Sequence, residues 1–368
     1  MRRKDFLILI LAVTLIFSMG ILMVFNISAA EVLDRKLDLS LYHALFKQTM
    51  YAAVSIAMAY LVFWIGYPFF LKFSGALLIL ATLLLVLVFV PGIGQQINGA
   101  HRWIRIFGNS LQPSECVKYL IPLYYVHVTT SKKKPLEAKE FYKLLAMIAI
   151  PIGLIWIEPD NGSVFIIMIA LLALFILTKV RWTYWALPLC LFSICAALVA
   201  LKMKHVPDRL YVYFHPESDL RGKGHQPYQA KIAAGSGGLF GKGIGESLQK
   251  LDYLPEARSD YIAAIFAEEF GFVGILGLIF LYITLGAVGF YLAMKATDPS
   301  AFYLIAIFIF LLCFQAFLNL GVVSGLLPSK GTNLPFFSQG GSSLFVNFIA
   351  LGLIMSAARK KVETAHAK

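Results

Sequence analysis

Long apolar runs separated by short polar joints dominate the chain. Ten stretches approach the roughly 20 apolar residues that a helix needs to cross a bilayer. They lie near 6–26, 47–67, 71–91, 113–129, 142–157, 162–178, 183–201, 264–295, 300–323 and 341–358. In hydrocarbon a single segment can satisfy its own backbone only as a helix. The pattern therefore predicts an all-α integral membrane protein with about ten transmembrane helices. The polar joints then sort by charge. "MRRKD", Lys72, "SKKKPLEAK", "TKVR", "MKATD" and "ARKK" fall on one side if ten spans alternate. Lys and Arg in short loops mark the cytoplasmic side, so both termini are expected inside. One large outer loop, about 202–260, and a tail, about 359–368, are expected within a single membrane domain covering 1–368.

Composition agrees with that pattern. Hydrophobic residues make up 59% of the chain and charged residues 14%, against roughly 25% charged in soluble domains. The net charge of +12 sits beside apolar runs, which suits anionic lipids and argues against nucleic acid as a partner. The four cysteines, Cys116, Cys190, Cys195 and Cys313, all lie in apolar stretches and form no CxxC pair. They read as small buried hydrophobes rather than a disulfide or zinc framework. The N-terminal apolar run is about 20 residues, longer than the apolar region of a signal peptide, and reads as a retained first span.

Against this background a few polar features carry candidate chemistry. Glu115 and Lys118 open the fourth span three residues apart, on one helix face. They are either a structural ion pair or part of a polar cavity, since ionisable groups in spans are costly and often functional. "EPDNG" (158–162) is a tight polar turn, or a place where Asp160 faces an outer cavity. "GSGGLFGKGIG" (235–245) lacks the spacing of a phosphate-binding P-loop, with Ser236 and Gly243 at key positions. It remains a flexible hinge, or an anion-binding turn with Lys242 beside it. "NGAHRWIRIFGNSLQPSE" (98–115) mixes Trp, Ile, Phe and Arg as a short interfacial amphipathic element would. His205, His215 and His225 match no compact metal motif, and no metal is assigned.

Asp260 is the most pointed case. It stands just before "YIAAIFAEEFGFVG", which turns into a span. A carboxylate there can cap the helix. It can equally accept a proton from a substrate hydroxyl at the membrane boundary. Glu268 and Glu269 lie on other faces of the same helix, so the three acids do not make one cluster. Residue chemistry alone leaves cap and base both open.

Four stretches, in order, resemble the SEDS family (shape, elongation, division and sporulation proteins). They are "GAHRWIRIFGNSLQPSE", "EPDNGS", "QKLDYLPEARSDYIAAIFAEEFGFVG" and "GLLPSKGTNLPFFSQGGSS". The resemblance spans about residues 90–355, and "LQKLDYLPEARSDY" with Lys330-Gly331 leans toward the division branch. Glu158, Asn161, Ser163, Ser259, Tyr261 and Gln339 depart from the family's usual residues.

The resemblance implies a peptidoglycan glycosyltransferase of the bacterial inner membrane, working at the septum. It would join lipid II, a polyprenyl-diphosphate-linked disaccharide-pentapeptide, into β-1,4 glycan with inversion. Asp260 would be the catalytic base. Glu115, Lys118, Arg102, Lys242 and Lys330 would bind substrate and its leaving diphosphate. A divalent cation could share that work, and no other cofactor is expected. The implied partners are a class B penicillin-binding transpeptidase and other division proteins. Three alternatives remain: a lipid II flippase, an elongation-type polymerase and a non-catalytic scaffold.

Overall fold

The computed structural model describes residues 2–34, 40–97, 100–106, 109–132, 136–202, 213–214, 222, 224–250, 254, 257–328 and 331–359. Among the expectations above, Lys330, His205, His215, most of the tail and parts of the outer loop lie outside these residues. A helix occupies each run expected to span. α1 (Arg2–Asp34) and α2 (His43–Ile65) come first. α3 (Tyr67–Lys72) and α4 (Ser74–Leu87) share the third run, broken at Phe73. α5 (Pro113–Thr130), α6 (Ala138–Ile157), α7 (Asn161–Leu177) and α8 (Trp182–Lys202) follow. α9 (His225–Ser236) is a short helix within the outer loop. α10 (Ile262–Met294), α11 (Pro299–Val323) and α12 (Gly341–Arg359) close the chain. Six of these, α1, α2, α6, α10, α11 and α12, are long and apolar enough to cross a membrane by length and composition.

The helix starts follow from local chemistry. Pro113 takes the first turn of α5, where its missing N–H costs nothing, and Glu115 sits in the same turn. Glu137 and Glu140 form a capping box on α6. Asp160 caps α7, accepting from the backbone N–H of Ser163 at 3.1 Å.

Helices dominate, with one addition to the expected class. The segment read as a short amphipathic element is a three-stranded antiparallel sheet, β1 (Gly94–Ile97), β2 (Ala100–Ile106) and β3 (Asn109–Leu111), in that order. Ile104 is its hinge position, paired with both Gly94 and Leu111. His101 and Arg105 are exposed while Ile104 is buried, the period of two that a half-covered strand requires. The segment is too short and too charged to span, so it lies across the bundle end and meets α5 and α12.

α11 is the central post. It packs against α5, α7, α9, α10 and α12, and its buried positions run on all sides. α1 lies on α10, and α2 lies on α12. α10 is broken at Gly271, whose backbone (φ 68°, ψ −166°) is closed to other residues.

Candidate functional site

Four segments far apart in sequence are tied together at one end of the bundle. Ser342, at the start of α12, accepts from the backbone N–H of Gln112 at 2.9 Å and donates to the Ser110 carbonyl at 3.4 Å. The Gln112 side chain and Ser114 both donate to Asp160, at 3.3 and 3.1 Å. Ser163 donates to the same carboxylate oxygen at 2.7 Å. The Arg102 guanidinium reaches the carbonyls of Glu158 (3.2 Å) and Pro159 (2.5 Å). β2, the start of α5 and the α6–α7 turn are thus one hydrogen-bonded unit.

The loop before α12 joins that unit to Asp260. Ser338 donates to the Ser259 carbonyl at 2.6 Å, and the Gln339 N–H to the Arg258 carbonyl at 2.9 Å. Asn319 of α11 donates to the carbonyls of both Asp260 (2.8 Å) and Thr332 (2.6 Å). A Cβ added to Gly331 would stand 2.6 Å from Oδ2 of Asp260. The absence of a side chain there lets the 331–340 loop lie directly against the carboxylate. The N-cap position of α10 is Tyr261, one residue after Asp260. Of the two readings left open for Asp260, the cap position thus falls one residue further on.

Below this surface a buried polar chain runs into the bundle. Lys118 Nζ bonds Glu115 Oε1 and Gln315 Oε1, both at 2.8 Å. Gln315 donates to the Tyr119 hydroxyl at 3.2 Å, which donates to Asn347 at 2.9 Å. Asn347 donates in turn to Ser343 at 3.4 Å. Each of these side chains is charged or polar in a region that burial makes costly, and each is paired.

Several acceptors near the site are left over. Both carboxyl oxygens of Glu158, Oε2 of Glu115, the Asn319 amide oxygen, the Gln48 amide oxygen and the Thr332 hydroxyl are buried without a hydrogen-bond partner. Glu158 is fully buried. Loss of water pushes its carboxyl up to about 8, Asp160 adds to the rise, and Arg102 only partly offsets it. At neutral pH this acid is mostly protonated.

A second polar centre clasps the break in α10. The Lys242 and Gly243 N–H groups donate to the carbonyls of Glu268 and Glu269, at 3.0 and 3.1 Å. The Phe272 and Val273 N–H groups donate back to Gly238 and Leu239, at 2.9 and 3.1 Å. A Cβ on Gly241 (φ 82°) would stand 2.1 Å from the Glu269 carbonyl oxygen. Two glycines of "GSGGLFGKGIG", Gly237 and Gly241, are thus explained by close backbone approach to α10, and Gly238, Gly243 and Gly245 by a positive φ. Glu268 accepts from Lys242 Nζ (2.6 Å), Ser236 (3.2 Å), Ser247 (2.5 Å) and two backbone N–H groups. Lys250 Nζ bonds Glu269 (2.9 Å), Asn26 (2.8 Å) and the Gly245 carbonyl (2.6 Å).

The residues expected to bind substrate thus divide. Arg102, Glu115, Lys118 and Asp260 belong to the joined segments at the bundle end. Lys242 belongs to the clasp and is paired with Glu268. Lys330 lies outside the described residues, next to Gly331. Among the described residues no group of three or more His, Cys, Asp or Glu is placed to hold a metal ion. Sequence reading did not single out Gln112, Tyr119, Gln315, Asn319, Ser342 or Asn347. The signal was present for two of them: an amide inside "FLLCFQAFLNLG" demands a buried partner.

The protein is thus a helical membrane protein whose scattered polar segments converge on a carboxylate at the bundle end. The family model for cell cycle proteins of the FtsW, RodA and SpoVE type matches residues 6–363, and the chain belongs to that family. It is similar to proteins named "probable peptidoglycan glycosyltransferase FtsW". The one from Trichlorobacter lovleyi is 33% identical over 358 residues, covering 95% of this chain and 92% of that one. The one from Coxiella burnetii is 35% identical over 351 residues, covering 93% of each. Among solved structures, the rod shape determining protein RodA of Thermus thermophilus matches with a TM-score of 0.67 and 26% identity, covering 96% of each chain. A chain from a study of a peptidoglycan synthase complex that coordinates polymerization and crosslinking matches the fold with a TM-score of 0.76 at 24% identity, covering 96% of this chain and 97% of that one.

Proposed function

We propose that the chain is a peptidoglycan glycosyltransferase that polymerises lipid II, with Asp260 as the catalytic base. One observation carries the assignment of the site. All four family-like segments are hydrogen-bonded into one surface, and that surface presses Gly331 against the Asp260 carboxylate. In the proposed step Asp260 takes the proton of the acceptor 4-hydroxyl. The freed oxygen attacks the anomeric carbon of the donor, and the C–O bond to the diphosphate breaks with its electron pair. Configuration inverts because attack and departure are on opposite faces.

Positive charge where the diphosphate develops its negative charge lowers the barrier. Arg102, Lys118 and Lys330 are proposed for that role. Lys242 is proposed to act indirectly, by holding the outer loop on Glu268. Glu115 holds Lys118 in place through their 2.8 Å bond. No step is routed through a cation. We read the whole of 1–368 as one membrane domain with this site on its outer side, in the inner membrane at the septum. The partner proposed is a class B penicillin-binding transpeptidase, consistent with the coupling of polymerization to crosslinking in the structural relative.

The test is a polymerisation assay with labelled lipid II, purified chain and its transpeptidase, run beside a liposome assay of lipid II crossing. Glycan polymer without crossing is the expected result. Crossing without polymer would replace the reading with a flippase. Neither, with complex formation intact, would leave a scaffold.

A further inference from the structure

The loop that clasps α10 has an apolar surface of its own. Leu239, Phe240, Ile244 and Leu248 expose 64%, 81%, 62% and 61% of their area. Their place is fixed. The backbone pairing of Gly238 and Leu239 with Phe272 and Val273 sets Leu239 and Phe240 beside the first turn of α10 beyond the break. That turn presents Phe272, Val273 and Leu276 outward. α10 is a membrane-crossing helix by length and composition, so these side chains face lipid. The exposed residues of the loop continue the same surface.

Behind the loop lies a cavity of about 780 Å³. Leu22, Phe25, Ala29 and Leu33 of α1 and Ile244 and Leu248 of the loop form its apolar walls. Leu22 and Leu33 are themselves exposed, so the cavity opens on the outward side of α1. The donors of Lys250 and Ser247 in its lining are already engaged. All three donors of Lys250 are taken by Glu269, Asn26 and Gly245, and the Ser247 hydroxyl is given to Glu268. Asp34 and Glu246 also line it and disfavour an anionic headgroup. What suits such a space is a neutral hydrocarbon chain entering from the bilayer.

We propose that residues 239–248 form a wedge inserted in the bilayer, and that the cavity behind it holds an acyl chain of a membrane phospholipid. The surface is continuous with the lipid-facing sides of α1 and α10, which selects lipid over a soluble ligand. The wedge carries Lys242 to Glu268, and Lys250 two residues beyond it reaches Glu269, so lipid in the cavity supports the helix that begins next to Asp260. Arg258 and Glu31, paired at 3.1 Å, join α1 to that helix start. This inference does not depend on the reaction proposed above.

The experiment uses the full chain in phosphatidylethanolamine–phosphatidylglycerol proteoliposomes. They contain a trace of phosphatidylcholine with a diazirine on its acyl chain. After photolysis, labelled residues are mapped by mass spectrometry. Segments 22–33 and 239–248 are expected to label several-fold more than the polar turn at 131–132. Ala29→Phe and Ala30→Phe, which fill the cavity, should lower labelling of its walls several-fold and leave Phe240 labelled. Labelling of both segments no higher than at 131–132 would overturn the proposal. Displacement of the label by an added polyprenyl phosphate would also overturn it, by giving the cavity to a substrate-like chain. So would loss of label at 239–248 on co-reconstitution with a partner membrane protein.

Discussion

The two polar centres of the molecule differ in how completely they are paired. At the clasp on α10, Glu268, Glu269, Lys242 and Lys250 find partners for their charges, and among the described residues there only the Gln249 amide oxygen is left over. At the bundle end, acceptors on Gln48, Glu115, Glu158, Asn319 and Thr332 have none. Buried polar groups are ordinarily satisfied, and leftover ones gather where a protein does something besides fold. The clasp reads as architecture that seats a helix. The bundle end keeps its leftover acceptors buried behind the surface that carries Asp260.

The largest expected effect on stability falls at the clasp. Lys250→Met leaves Glu269 buried beside Asn26 with no counter-charge, and removing one partner of a buried pair costs about 3–5 kcal/mol. Thermal unfolding in detergent should show it. Lys250→Met combined with Glu269→Leu should recover most of the loss, because the stranded charge is gone. If the single variant unfolds like wild type, the clasp is not architectural.

An effect of similar size but opposite sign lies at the bundle end. Folding raises the Glu158 carboxyl from 4.5 to about 8. The unfolded chain ionises it near 4.5 and the folded chain resists, so the folded state loses stability as pH rises from about 4.5 to about 8. Above that the penalty is constant, at up to about 4–5 kcal/mol. Glu158→Gln removes the titration. It should raise the unfolding temperature at pH 8.5 and change it little at pH 5. A difference that does not grow with pH would show that Glu158 is not held neutral.

The smallest effect on stability is expected at Thr332, whose hydroxyl is buried and unpaired. Thr332→Val discards an unsatisfied group of nearly the same shape, so stability should hold or rise by about 1 kcal/mol. If this surface receives substrate, polymerisation should fall even though the fold gains. A variant both more stable and fully active would weaken the contrast between the two centres.

Much of the fold was legible because a bilayer allows few solutions. Every apolar run near 20 residues became a helix, and Pro113 marked the start of α5 as helix chemistry requires; Asp160, read as part of a tight turn, proved also to cap α7. The sheet at 94–111 was not legible as strands. Its alternation is short and its aromatics and arginines suit an interfacial helix equally well. Asp260, Glu115, Lys118 and Arg102 were legible as candidates, since charge beside a span needs a reason. Their linkage through Gln112, Ser342, Asn319 and Gln315 was not, because those bonds join residues as much as 232 positions apart. Lys242 was read as a possible anion ligand. Its pairing with Glu268 depends on the break at Gly271, which sequence spacing along an ideal helix does not reveal.

The most direct test of the catalytic claim is lipid II polymerisation by Asp260→Asn, with the transpeptidase present. The variant should keep its unfolding temperature and its partner, because Asn has nearly the shape of Asp and the substitution keeps the backbone carbonyl that accepts the Asn319 bond. Loss of a general base typically costs about 10²–10⁴-fold in rate, and polymer should fall by that order. A correctly folded, partner-bound Asp260→Asn protein that polymerises lipid II at the wild-type rate would contradict the account.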